Sequence, residues 1–182
     1  MSHTAPFIQM LRNRRSIRQF KSQGVPQEKI IQLQEALLRA PTSRGKQPWN
    51  FIFVEDRELL EKMSRAKTHG SAFVAGAALG VVICADEELS DVWIEDSAIA
   101  AITLQYAAHD LGLGSCWVQI RNRLHDDETS SETFLKKLLD ISDSSRILCM
   151  IGIGFSNEEK SGLPQTQLPT GKIKFIYKNS LK

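Results

Sequence analysis

Cysteine is scarce in this chain, three in 182 residues, an odd number with no CxxC pair. Cys84, Cys116 and Cys149 lie in or beside apolar segments, so they read as reduced core side chains rather than disulfide, redox or metal sites. His3, His69, His109 and His125 are scattered without ligand spacing, which argues against zinc. Charge of one sign is also lacking. Twenty-three Lys plus Arg against 21 Asp plus Glu leave a formal +2, too weak a bias for a nucleic-acid track. No apolar run is long enough to cross a bilayer, and the basic N-terminal stretch has no apolar core of signal-peptide length. The expectation is a cytoplasmic protein with neither nucleic acid nor membrane as partner. HExxH, Walker A and GxSxG signatures are absent. Gly112 and Gly114 begin something like a dinucleotide fingerprint, but a third glycine is missing and the segment follows a helix where a strand is required.

What is present, 42% hydrophobic and 24% charged residues, is the composition of a globular protein able to bury a core without staples. Residues 1–182 read as one domain of α+β class. Phe7, Met10 and Leu11 mark a short first helix. Pro26 opens a second, with Ile30, Ile31, Leu33, Leu37 and Leu38 as its buried stripe and Pro41 beyond its end. Trp49, Phe51, Phe53 and Val54 pattern as a strand. Asp56 caps a third helix that buries Leu59, Leu60 and Met63, and residues 81–84 form a fully buried strand.

The longest helix runs from Val92 to Leu111 and is apolar nearly all round, which places it in a large core or, for a chain this short, at a subunit interface. Gly112 ends it in the left-handed conformation. Ser115 to Ile120 reads as a strand. Thr129 with Glu132 reads as a capping box for a helix burying Leu135, Leu138 and Leu139, and Arg146 to Ile153 as another buried strand. An aperiodic tail leads to Lys172–Tyr177, which can pair as a strand at a sheet edge or across a dimer.

Four polar clusters carry the chemistry. Arg14, Arg15, Ser16 and Arg18 offer guanidinium forks and a hydroxyl suited to a phosphate or the polar edge of a heterocycle, although a solvated basic turn has the same composition. The loop Pro41, Thr42, Ser43, Arg44, Gly45, Lys46, Gln47 and Pro48 lets backbone donors approach a ligand, yet is also ordinary turn chemistry. Trp117, Val118 and Gln119 set an aromatic plate and an amide on a strand that follows a helix stop, equally a core tryptophan after a glycine cap. Lys172 and Lys174 share one side of the last segment, spaced to face one anion or simply to guard an edge strand.

The segments RRSIRQF, APTSRGKQPWNF, AAHDLGLGSCWVQ and GKIKF, in this order from about Leu11 to Phe175, resemble the nitroreductase family of flavin enzymes. That resemblance implies a mixed, mostly antiparallel sheet flanked by helices, with the long helix at the core of a homodimer and FMN at the subunit interface. It implies that Arg14, Arg15, Ser16 and Arg18 hold the FMN phosphate, ribityl chain and pyrimidine edge, with Lys172 and Lys174 completing the phosphate site. Pro41, Thr42 and Ser43 would reach the flavin bound mainly by the other subunit, Gly45 and Gln47 of the same loop would be cofactor-binding as well, and Trp117, Val118 and Gln119 would line the isoalloxazine. The implied activity is hydride transfer from NADH or NADPH through FMN to a small electron-poor acceptor, a nitroaromatic, quinone or flavin, with ping-pong kinetics. Many family members carry asparagine at the position of Gly45 and glycine at that of Ile120, so the pocket wall is expected to differ here. Those departures motivate a second reading, a flavin-binding carrier or sensor with little NAD(P)H turnover.

Overall fold

A computed structural model describes residues 5–176. The helices are α1 (Pro6–Asn13), α2 (Gln27–Leu38), α3 (Arg57–Met63), α4 (Trp93–Asp110) and α5 (Ser131–Leu139). The strands β1 (Trp49–Val54), β2 (Leu79–Asp86), β3 (Gly114–Gln119) and β4 (Ser145–Gly154) form one sheet in the order β1-β2-β4-β3, every neighbouring pair antiparallel. The mixed character expected of the sheet is confined to a single parallel bridge, Ser16 to Ser115.

The two central strands explain the layering. β2 and β4 are buried on both faces, which is why they read as unbroken apolar runs rather than alternating ones. One face packs Leu79, Val81, Ile83, Ile151 and Ile153 against α2 and α4; the other packs Val82, Cys84, Ile147 and Met150 against α3 and α5. The sheet is thus the middle of three layers, and α4 is its main cover on the first face.

Helix limits follow local chemistry. Asp56 caps α3 by accepting the Leu59 N–H at 2.8 Å, as its sequence position implies. The α5 cap falls one residue later than the Thr129 reading: Ser130 Oγ accepts the Thr133 N–H at 3.0 Å. Glu132 is therefore no capping-box partner. It receives Arg146 Nε at 3.0 Å and the Ile147 N–H at 2.9 Å, tying α5 to the start of β4. At the C-terminus of α4, Lys29 Nζ donates to the Leu111 carbonyl at 2.7 Å, and Gly112 takes φ +74°, the left-handed region that favours glycine.

Two expectations need correction. The buried stripe of α2 is Ile30, Leu33 and Leu37 alone, whereas Ile31 and Leu38 are 54% and 61% exposed. A stripe of five overfills a helix that touches the core along one narrow seam. Residues Lys172–Ile176 form no strand within the described chain: Thr170–Lys172 is a 3-10 turn and 173–176 run on exposed. Tyr177 lies outside the described residues.

Leu37→Ala should cost about 2–5 kcal/mol by urea denaturation and Ile31→Ala well under half as much; equal losses would contradict this assignment of the α2 face. All three thiols are buried and free, and burial pushes the Cys84 thiol up to about 12. The folded chain keeps that proton while the unfolded chain loses it near 9, so Cys84 lowers stability as pH rises above about 9. Cys84→Ala should flatten the alkaline fall in urea midpoint, and none of the three native thiols should react with a disulfide reagent at pH 8 before unfolding.

Candidate functional site

Residues 16–21 run along the outer side of β3 and then past the end of β4. Ile17 N–H donates to the Ser115 carbonyl at 3.0 Å, Lys21 N–H to Phe155 at 2.9 Å, and Asn157 N–H back to Gln19 at 2.8 Å. This course needs a strand residue with no side chain: a Cβ on Gly114 would stand 2.7 Å from the Cβ of Ile17. The glycine in GLGS thus serves backbone approach, and Ile17 buries itself on it at 9% exposure.

The threading opens a cleft of about 240 Å³ between the end of α4 and the 156–160 turn, lined by Arg14, Arg15, His109, Gly112, Ser115, Ser156, Glu158 and Lys160 among others. Arg14 is half-buried, and its Nη1 is buried with no hydrogen-bond partner. A guanidinium nitrogen withheld from water and left unpaired costs a few kcal/mol unless an acceptor fills the space beside it. Arg15 is braced by donating to the Ser161 carbonyl.

Glu158 closes one wall. Its Oε1 accepts the Arg18 N–H and, at 3.2 Å, the Gln19 N–H; its Oε2 meets Lys160 Nζ at 2.9 Å. The Arg18 backbone bond first, and Lys160 next, hold this carboxyl below the usual glutamate range, so it stays ionised. Lys160 Nζ also donates to the Ser16 carbonyl at 3.0 Å. The Arg18 side chain turns out of the cleft, its guanidinium 6.0 Å over the Phe73 ring. Burial pushes the Cys116 thiol up, opposed by Arg18, Ser16, Lys160 and Arg14.

The 41–48 loop lies elsewhere. Arg44, Gly45 and Gln47 all have positive φ, and the turn is held by Thr42 Oγ1, which accepts the Gln47 N–H at 3.1 Å. Its anchor is Asp96 in the first turn of α4, 2% exposed, which accepts the Ser43 N–H at 2.8 Å and the Ser90 hydroxyl at 3.0 Å. Asp96 and His109 lie near opposite ends of α4, thirteen residues apart, so roughly 20 Å separates loop and cleft within one chain.

On β3, Trp117 Nε1 donates to Gln119 Oε1 at 3.0 Å and Gln119 Nε2 to the Arg121 carbonyl at 3.1 Å, which fixes the amide and leaves its second N–H for a ligand. Val118 and Ile120 point the other way, 1% and 0% exposed in the core beside α5, so Ile120 builds no pocket wall and Val118 offers only backbone. Lys172 and Lys174 are exposed and do not line the Arg14 cleft.

The structure therefore brings together Arg14, Arg15 and Ser16 with the start of β3, and keeps the 41–48 loop and the two tail lysines apart from them. Sequence reading missed His109, Asp96, Ser156, Glu158 and Lys160. The run NEEK just after a buried strand was the available signal for the last two. Among the described residues no group of three or more His, Cys, Asp or Glu could hold a metal ion, and no helix is long and apolar enough to cross a membrane.

Comparison with known proteins agrees with this architecture. The Nitroreductase family model matches residues 11–93 and 65–155. An FMN-dependent nitroreductase from Clostridium difficile R20291 superposes with a TM-score of 0.91 at 42% identity, over 93% of this chain and 99% of that one. A protein of Archaeoglobus fulgidus, provisionally named NADH dehydrogenase/NAD(P)H nitroreductase, is 34% identical over 84% of this chain and 87% of its own length. The FMN reductase [NAD(P)H] of Bacillus subtilis is 32% identical over 59% of this chain and 51% of its own. The chain belongs to the nitroreductase family.

Asp96→Ala should free the 41–48 loop, so that trypsin cuts after Arg44 or Lys46 at least ten times faster than in the parent protein while the cleft residues stay protected. Unchanged cleavage would show that the loop holds its shape without Asp96.

Proposed function

We propose that this chain works as half of a homodimer, an FMN-dependent NAD(P)H oxidoreductase that reduces small electron-poor acceptors such as nitroaromatics, quinones or flavins, donor and acceptor taking turns at one opening in ping-pong order. The enzyme class and the cofactors follow from the family. One observation carries the assignment of the site: the buried, unpartnered Nη1 of Arg14, in a cleft with two further cations and two serine hydroxyls, fits an anionic group such as the FMN phosphate. When bound, FMN supplies the two-electron chemistry, accepting hydride from NAD(P)H and passing reducing equivalents on.

The chain's own residues bind and orient. Arg14 and Arg15 take the phosphate, the Ser16 region the ribityl chain, and Trp117 with the fixed Gln119 amide the ring. Arg18, exposed beside Phe73, is the cation available to face negative charge at the pyrimidine edge during reduction. No side chain is assigned as acid or base, and water supplies protons. With Ile120 in the core, the carrier reading keeps only Gly45 as its motive.

Two observations support pairing of subunits. Phe7, Ile8 and Leu11 on α1, Ile99 on α4, and Ile173 and Ile176 in the tail are exposed, apolar side chains that a second subunit could cover. The roughly 20 Å between loop and cleft is bridged if α4 of one subunit packs against α4 of another with ends exchanged, so that each 41–48 loop meets its neighbour's cleft.

Freshly purified protein, given excess FMN and desalted, should be yellow, and anaerobic NADH or NADPH should bleach it within minutes. A flavin that binds but stays oxidised would favour the carrier reading, and a protein that retains no flavin would overturn the assignment altogether.

A further inference from the structure

We infer that Lys160, positioned by Glu158, is a direct ligand of the anion held in the Arg14 cleft. The inference rests on the phosphate assignment just made and adds to it a cation from the 156–160 turn. Lys160 lines the cleft with Arg14 and Arg15, its side chain 30% exposed, and its ammonium is set by two acceptors, Glu158 Oε2 at 2.9 Å and the Ser16 carbonyl at 3.0 Å. An ammonium has three donors, so one N–H remains for a ligand.

The geometry of Glu158 explains how that donor is aimed. Its other oxygen is taken up by the Arg18 and Gln19 amides, so the carboxylate bridges the turn carrying Arg14–Arg18 to the turn carrying Lys160. With Glu158 neutralised by Lys160 and saturated by amides, the charge left over in the cleft is that of the two guanidiniums, one of them with a buried nitrogen lacking an acceptor. A dianionic phosphate matches that surplus, and Lys160 is placed to share it. Glu158 acts through Lys160 and is a positioning residue.

The test compares affinities for FMN and riboflavin, which differ only by the phosphate, using fluorescence titration of the flavin-free full-length protein. Lys160→Ala should weaken FMN binding about ten- to a hundredfold and leave riboflavin within twofold, and Lys160→Arg should restore most of the loss. Equal weakening for both flavins would reduce Lys160 to a structural clasp, and an unchanged FMN affinity would remove it from the site. Arg14→Ala, titrated in parallel, separates this inference from its parent. If Arg14→Ala lowers FMN affinity selectively and Lys160→Ala does not, only the Lys160 assignment fails; if neither variant discriminates the two flavins, the phosphate is not bound in this cleft.

Discussion

The amide of Ile17 donating to the carbonyl of Ser115, across the flat surface that Gly114 leaves, is the joint on which the rest of the site depends. It fixes the basic stretch against an edge strand, and every later element of the cleft is measured from it. The Arg14 guanidinium reaches inward because Ile17, three residues on, is buried. The Glu158 carboxylate accepts two successive amides, those of Arg18 and Gln19, on one oxygen. A local interaction among residues a hundred positions apart thus converts a string of arginines into a concave, electropositive surface.

Much of this order was legible in the residues. Apolar runs identified β2 and β4 because both strands are covered on two faces, and Asp56, Gly112 and Pro26 marked helix ends through chemistry that needs no tertiary context. Misreadings arose where neighbours decide. Ile31 and Leu38 carry the right side chains for a buried stripe but sit off the seam with α4. Thr129 and Ser130 are adjacent candidate caps, and Glu132 left the cap because Arg146 and the Ile147 amide satisfy its carboxylate better. Lys172 closes a 3-10 turn and Lys174 lies beyond it, so the strand expected from their spacing does not form among the described residues.

The site was legible as a set of motifs rather than as an arrangement. RRSIR and GLGSCWVQ meet in space, which their order along the chain could not tell. The 41–48 loop is attached to the opposite end of α4, a separation visible only once Asp96 is seen to hold it. Ile120 shows the limit of position-by-position comparison: one residue beyond the motif, the alternation of β3 turns a presumed pocket wall into core.

The burial of the cysteines has a bearing on how such a protein survives its own chemistry. Reducing equivalents handled in air generate peroxide, and peroxide attacks thiolates that it can reach. Cys84 and Cys149 lie inside the sheet layers, and Cys116 on β3 is 1% exposed with burial holding its proton. Each is shielded by exclusion and by protonation at once, so an oxidant in the surrounding solvent meets no accessible thiolate at any of the three.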